Sequence, residues 1–310
     1  MNTASAIPDN EDDSVKIVEV GPRDGLQNES QLISPADRAL MIKQLVDTGI
    51  HHIEVGSFVS PKWVPQMANT DQVFHALTRK AHCIYSALVP NMKGMALAIP
   101  CHPSEISIFG AASEHFSQKN INCSIDESFE RFQPVMTAAK ANNIPVRGYV
   151  SCVIGCPYEG YINPAKVAEV AAKMYALGCH EISLGDTIGV GTPKRTLAML
   201  KAVKAVIPTE VLALHCHDTY GQALVNIAAG FNEGIRIIDS SVSGLGGCPY
   251  AKGASGNVAT EDVLYFCKHQ GINTGIDLSA VVRAGESINR LLKRSTQSKV
   301  AQALSQEPEV

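Results

Sequence analysis

Apolar positions along the chain fall into short β-rich runs separated by longer amphipathic stretches. The runs lie at Val15 to Val20, His52 to Ser57, Cys83 to Val89, Glu105 to Phe109, Pro145 to Ser151, Glu181 to Leu184, Val211 to Leu214 and Ile237 to Val242. Between them the punctuation is helical. Ser34-Pro35-Ala36-Asp37 offers an N-cap, a proline at the first helical position and an acid in the first turn, with Gly49 placed as a C-cap. Asn163-Pro164 with Gly178 repeats that grammar, Thr192-Pro193 opens another helix, Ser124 to Glu127 has capping-box spacing, and Thr260 to Gly271 brackets a shorter helix. Strand then helix, eight times over, calls for parallel pairing through crossovers, either in an open doubly wound sheet or in a closed barrel. The first strand is followed by Gly21-Pro22-Arg23-Asp24-Gly25 and not by a dinucleotide-binding glycine fingerprint. The length of the repeat suits the barrel. The expected fold class is therefore α/β, a (β/α)8 TIM barrel over residues 14–275. Residues 276–310 form a C-terminal helical extension packed on it, with Leu278 to Leu292 a helix whose apolar positions are Val281, Val282, Ile288, Leu291 and Leu292. Residues 1–13 read as a disordered acidic tail.

Composition narrows the function without naming it. The 310 residues are 45% hydrophobic and 18% charged, with a formal net charge of -4, so no basic footprint points to nucleic acid. No apolar run reaches the roughly 20 residues that cross a bilayer. The stretch Met1 to Asp13 carries acids and no Lys or Arg, unlike a signal peptide or a mitochondrial presequence, and Glu307 to Val310 matches no peroxisomal signal; a cytoplasmic protein is expected. Nine cysteines without a Cys-x-x-Cys pattern read as reduced thiols, mostly buried as small hydrophobes.

Barrel enzymes carry their chemistry at the C-terminal ends of the strands, and polar residues collect at those ends here. Strand seven ends in His215-Cys216-His217-Asp218. Side chains two apart on a strand share a face, so both imidazoles can reach one ion; a hydrogen-bonded polar pair at a strand terminus is the plain alternative. Strand one ends in Arg23-Asp24, where an acid on the same rim as two histidines is a candidate ligand beside the ordinary surface salt bridge. Glu54, inside the apolar Ile53-Glu54-Val55, suits a partner that fixes Arg23 or a histidine. Asp186, ending strand six, is open to three roles: ligand partner, base or cap of the following turn. The glycine-rich loop Ser243 to Asn257 holds Cys248 at its middle; such loops persist where backbone approaches a ligand or closes as a lid, which favours a reactive or acid-donating thiol over a buried structural one.

Taken together, Val20 to Glu29 (Val-Gly-Pro-Arg-Asp-Gly-Leu-Gln-Asn-Glu), Ser57 to Met67, Gly155 to Gly160, His215 to Gly221 and the Cys248 loop resemble the 3-hydroxy-3-methylglutaryl-CoA lyase family, over residues 15–303. The resemblance implies a metal-dependent carbon–carbon lyase that splits 3-hydroxy-3-methylglutaryl-CoA, a CoA thioester, into acetyl-CoA and acetoacetate, late in leucine breakdown. It implies Asp24, His215, His217 and Asn257 as ligands of Mg2+ or Mn2+, Arg23 as the residue that stabilises the enolate, Cys248 as proton donor or acceptor, and Glu54 and Asp186 as further functional acids, with either Asp186 or the metal-linked His215 as the base. It also implies a homodimer, with neither nucleic acid nor membrane as partner. One departure is Ser30, where animal members carry lysine. A Claisen-type condensing synthase of the same barrel superfamily is the nearest rival, but such proteins generally carry Arg-Asp-Glu where this chain has Arg23-Asp24-Gly25, and they lack the Cys248 loop. A catalytically silent barrel that binds metal or acyl-CoA is the rival from another class.

Overall fold

The computed structural model describes residues 14–248 and 251–305; the expected acidic tail, residues 1–13, lies outside them. Among the described residues twelve strands follow in chain order. Five come first, β1 (Lys16–Glu19), β2 (His52–Ser57), β3 (Ile84–Leu88), β4 (Glu105–Ala111) and β5 (Val146–Ser151). A small antiparallel hairpin, β6 (Gly155–Cys156) with β7 (Gly160–Tyr161), precedes β8 (Glu181–Asp186), β9 (Leu212–Cys216) and β10 (Ile237–Ser240), and a second hairpin, β11 (Gly247–Cys248) with β12 (Ala251–Ser255), closes the list. The eight long strands pair in parallel as a closed barrel in the order β1-β2-β3-β4-β5-β8-β9-β10, with β10 returning to β1. The expected (β/α)8 fold is the observed one.

The caps explain why the crossovers are helices. In α1 (Pro35–Asp47) the Ser34 side chain accepts the Asp37 N–H, and α5 (Ile125–Ala141) has a complete Ser124/Glu127 capping box. Helix α6 (Pro164–Leu177) starts on Asn163 and ends at Gly178 in the left-handed region, φ 109°. Thr192 precedes α7 (Pro193–Lys204) without a side-chain cap bond. The remaining crossovers hold α2 (Thr70–Ala76), α3 (Met92–Ala98), α4 (Glu114–Ile121) and α8 (Ala223–Asn232), and α9 (Thr260–His269) follows the last barrel strand.

The core has two parts. One large apolar cluster fills the space between strands and helices, with Ile42, Leu45, Ile53, Ile106, Val170, Leu184 and Ile238 at 0% exposure. A small one, Val18, Val20, Ala213 and Ile237, sits apart from it. Strand alternation sets Arg147 and Tyr149 of β5, Glu181 and Ser183 of β8, His215 of β9 and Asp239 of β10 on the opposite face from the helix-packed residues. These buried charges persist because each meets a partner of opposite sign.

Past the barrel, α10 (Leu278–Leu292) begins on the Asp277 cap and α11 (Lys299–Leu304) on Ser298. The helix bounds match the expected Leu278 to Leu292, and Val281, Val282, Ile288 and Leu292 are buried. Leu291 is not: it is 36% exposed, while Ala284, Gly285 and Asn289 complete the packed face. Among the described residues no helix is long and apolar enough to cross a membrane.

Candidate active site

Several of the residues singled out in the sequence converge at the C-terminal ends of the strands. Strand β9 runs two residues further than its apolar pattern implied and carries His215 within it, with His217 just beyond. The chain after β1 turns at once through a π-helical turn, Gly21–Gly25, which holds Arg23 and Asp24 over the barrel mouth. His215 Nε2 lies 3.8 Å and His217 Nε2 4.0 Å from the same oxygen, Oδ2 of Asp24. These gaps are too long for hydrogen bonds and fit two ligand bonds to one divalent ion. Asp24, His215 and His217 each offer one ligand atom within 4.8 Å of the others, so the cluster can hold a metal ion.

The protonation states suit that role. Burial resists ionisation of Asp24, yet Arg23 and the two histidines outweigh it and hold the carboxyl at about 2. Burial, with His215 beside it, pushes His217 down to about 4, so its imidazole is neutral near pH 7 with a lone pair to give. Cys216, between the histidines on the opposite face of the strand, is buried, and burial drives its thiol well above the usual range.

Asn257 joins the cluster from the last loop. Its backbone bridges to His217, and its Nδ2 donates to Asp24 Oδ2 at 2.8 Å and to the Leu245 carbonyl at 3.3 Å. A cation contact at Asn257 needs the amide turned so that Oδ1 replaces Nδ2. The approach is backbone-close: a Cβ on Gly256 would sit 2.8 Å from Gly246 C and Gly247 N, and Gly246 itself takes φ 115°.

Arg23 is 6% exposed and is pinned on two sides, by Nε on Glu54 Oε2 at 2.5 Å and by Nη1 on Asp24 Oδ1 at 2.6 Å. Burial alone would weaken its charge, but Glu54 and Asp24 keep the guanidinium above its ordinary value. No described hydrogen bond uses Nη2. Glu54, 0% exposed, also accepts Ser107 Oγ at 2.7 Å and the Tyr149 hydroxyl at 3.3 Å. Tyr149 lies between two cations, with Arg23 5.4 Å and Arg147 4.9 Å from its ring centre, and meets His215 edge-on at 6.1 Å.

Asp186 stands outside the metal cluster. Its carboxylate accepts the N–H groups of Val190 at 3.2 Å and Gly191 at 2.7 Å, which closes the turn after β8, and burial raises it to about 6. Cys248 pairs its backbone with Ala251 in the β11–β12 hairpin; its side chain lies outside what the structure describes. The eight cysteines whose side chains are described are buried and not joined in disulfides. Sequence reasoning passed over Ser107, Arg147, Tyr149 and Asp239, although a lone charge inside an apolar strand run marks both Arg147 and Asp239.

This fold and this rim place the chain in the class described by the HMGL-like family model, which matches residues 14–288. It is 57% identical over 289 residues to the mitochondrial hydroxymethylglutaryl-CoA lyase of Rattus norvegicus, covering 93% of this chain and 89% of the rat protein. It is equally 57% identical over 289 residues to the cytoplasmic 3-hydroxy-3-methylglutaryl-CoA lyase of Mus musculus, covering 93% of this chain and 84% of that one. The crystal structure of the hydroxymethylglutaryl-CoA lyase from Pseudomonas aeruginosa superposes with a TM-score of 0.93 at 54% identity, over 94% of this chain and 98% of that one. An HMG-CoA lyase from Acinetobacter baumannii, solved with coenzyme A and 3-methylmalate, superposes with a TM-score of 0.90 at 35% identity, over 96% and 98%. The chain belongs to the hydroxymethylglutaryl-CoA lyase family.

Proposed function

We propose that this chain cleaves 3-hydroxy-3-methylglutaryl-CoA into acetyl-CoA and acetoacetate, with Asp24, His215, His217 and Asn257 holding Mg2+ or Mn2+. The observation that carries the reading is a carboxylate shared between two tasks: Asp24 turns Oδ2 to both histidines and Oδ1 to Arg23. An ion-binding cluster and a fixed cation are thereby set side by side.

A divalent ion held by Asp24, His215, His217 and Asn257 would supply Lewis acidity, which would ease deprotonation of a tertiary 3-hydroxyl. The proton leaves that hydroxyl for a base: burial holds Asp186 at about 6, a range suited to accepting a proton near neutrality, whereas His215, the other candidate, turns Nδ1 to Asp239 and Nε2 to the ion cluster and keeps no lone pair for the proton while it holds the ion. The C2–C3 bond then breaks, C3 becomes the ketone of acetoacetate, and the electron pair moves onto the thioester as an enolate. Arg23, held by Glu54 and Asp24, stabilises that charge from a position fixed before the reaction begins. Cys248 returns a proton to C2, completing acetyl-CoA; an ordinary thiol, with pKa about 8.5, is close enough to neutral to exchange one. The barrel of residues 14–275 with its 276–310 extension acts as a homodimer in the cytoplasm, a compartment named for the mouse relative, while the rat relative is named mitochondrial. The test is to incubate purified protein with the CoA thioester, with Mg2+ or with EDTA, and to assay acetoacetate. Mg2+-dependent product is expected; its absence would sink the lyase reading.

A further inference from the structure

His215 is braced from behind by a chain of buried charges that the lyase chemistry does not itself use. Its Nδ1 lies 3.2 Å from Oδ2 of Asp239 on the neighbouring strand β10. The same oxygen accepts Ser183 Oγ at 2.7 Å and Arg147 Nη1 at 3.1 Å, and Oδ1 accepts Arg147 Nη2 at 2.7 Å. Arg147 Nε turns the other way, to Glu181 Oε1 at 2.5 Å, and Glu181 in turn takes the ammonium of Lys16. Asp239 and Arg147 are each 1% exposed, Ser183 is 0% and Glu181 3%.

The signs alternate along this chain from the half-exposed Lys16 inward, so each buried charge is compensated by a neighbour of opposite sign. A carboxylate gripped at both oxygens by one guanidinium is ionised, and Arg147 holds Asp239 well below the usual carboxylate range in spite of its burial. An ionised carboxylate only accepts hydrogen bonds. The Nδ1 of His215 must therefore donate, which puts the proton on Nδ1 and leaves the lone pair on Nε2, the atom that faces Asp24. His217 has no such brace: its Nδ1 is buried without a hydrogen-bond partner.

We infer that Asp239, locked by Arg147, is the positioning residue that fixes the tautomer and ring orientation of His215 for a divalent ion, so that the two histidines enter the site unequally prepared. This rests on the metal assignment proposed above, which titration of the wild-type protein with Mn2+ tests by itself. Partners of this kind typically change metal affinity about 10- to 100-fold when removed.

Two measurements separate positioning from mere core stability. Long-range 1H–15N correlation spectra of apo protein labelled at histidine, assigned through a His215→Gln variant, should show His215 as the Nδ1–H tautomer; an Nε2–H tautomer overturns the inference without reference to any further variant. Asp239→Asn alone would strand the charge of Arg147, so the paired variant Arg147→Met with Asp239→Asn keeps the sum of charges unchanged. Its thermal midpoint in EDTA establishes folding, and free Mn2+ is then followed by electron paramagnetic resonance. Binding weaker by about 10- to 100-fold is expected. Wild-type affinity in the folded pair overturns the inference, and so does failure of the wild-type protein to bind Mn2+ at all, which would remove the metal assignment as well.

Discussion

Arg23 makes the sharpest test of how labour is divided at the rim, because two of its contacts run to groups with different jobs. Replacing it by glutamine deletes a buried guanidinium that sits 2.5 Å from Glu54 and 2.6 Å from Asp24. Loss of one neutral donor to a developing oxyanion typically lowers kcat by about 10²- to 10³-fold, and hydrogen bonds that carry a full charge are roughly twice as strong. The expected fall for Arg23→Gln is therefore about 10⁴-fold in kcat, or roughly 5 kcal/mol of transition-state stabilisation. Metal affinity should respond otherwise. Arg23 binds Oδ1 of Asp24, whereas the oxygen facing both histidines is Oδ2. Removing the cation leaves Oδ2 in place, makes the carboxylate more basic and takes one positive charge from beside the ion site, so Mn2+ should bind as well as before or more tightly. Arg23→Lys keeps a charge but loses the planar fork that spans Glu54 and Asp24, and should fall between wild type and Arg23→Gln. Acetoacetate formation at saturating thioester gives kcat, and electron paramagnetic resonance gives the Mn2+ affinity. Parallel loss of the two would refute the division, since it would make Arg23 a support for the ligand and not a partner of the enolate.

Other outcomes follow from the same geometry. Gly256→Ala places a Cβ 2.8 Å from the backbone of Gly246 and Gly247 beside Asn257, so Mn2+ affinity and thermal stability should both fall, the latter by about 1–3 kcal/mol; unchanged values would show that the loop gives way freely. Alkylation by iodoacetamide should abolish turnover through Cys248, and equal inhibition of a Cys248→Ser variant with residual activity would point to another thiol. Burial raises Glu19 to about 7, and an acid that binds its proton more tightly folded than unfolded contributes fully below about 4.5 and loses that contribution as pH rises through about 7, roughly 3 kcal/mol in all. Glu19→Gln should accordingly flatten the pH dependence of unfolding and be more stable than wild type at pH 8.5 but not at pH 5; a wild-type pH profile in the variant would refute the assignment.

The barrel was legible because its signal is distributed. Each strand is a short apolar run, each crossover carries its own cap, and an error of two residues at one end, as at β9, leaves the topology untouched. The rim was legible for a related reason: Arg23, Asp24, His215 and His217 are polar residues at the ends of apolar runs, where packing gives them no purpose. Asp239 and Arg147 escaped because their meaning depends on which strands are neighbours and in what register. Asp239 pairs with His215 across β10 and β9, and Arg147 with Glu181 across β5 and β8. Nothing within either strand's own sequence states those pairings. Leu291, apolar yet 36% exposed, shows the converse. Helical spacing puts it at the edge of the apolar stripe of α10, and Asn289 takes the buried place because Ser243 offers its amide a partner.

That contact bears on what the helical extension is for. Asn289 Nδ2 donates to Ser243 Oγ, the Ser243 N–H is held by both carboxylate oxygens of Glu261, and the Gln297 N–H donates to the Ser243 carbonyl. Ser243 itself takes φ 61°, a conformation that a non-glycine residue keeps only when its surroundings impose it. Two residues further on, Leu245 offers its carbonyl to Asn257. At the end of β1, Glu19 accepts Gly21 N and Val242 N through one oxygen and the Thr260 hydroxyl through the other, while Arg294 pairs with Glu29 and Asn28 donates to the Gly247 carbonyl. The turn that carries Arg23 and Asp24 and the loop that carries Cys248 and Asn257 are thus tied to each other and to the extension through polar groups that are buried or half-buried, the exposed Asn28 apart. An extension that served only to cover apolar surface would have no need of Asn289 on α10 or of Arg294 just past it. Their placement makes the extension part of the frame that sets the first and last loops of the barrel against one another, so the spacing between Asp24 and Asn257 depends on residues far outside the rim.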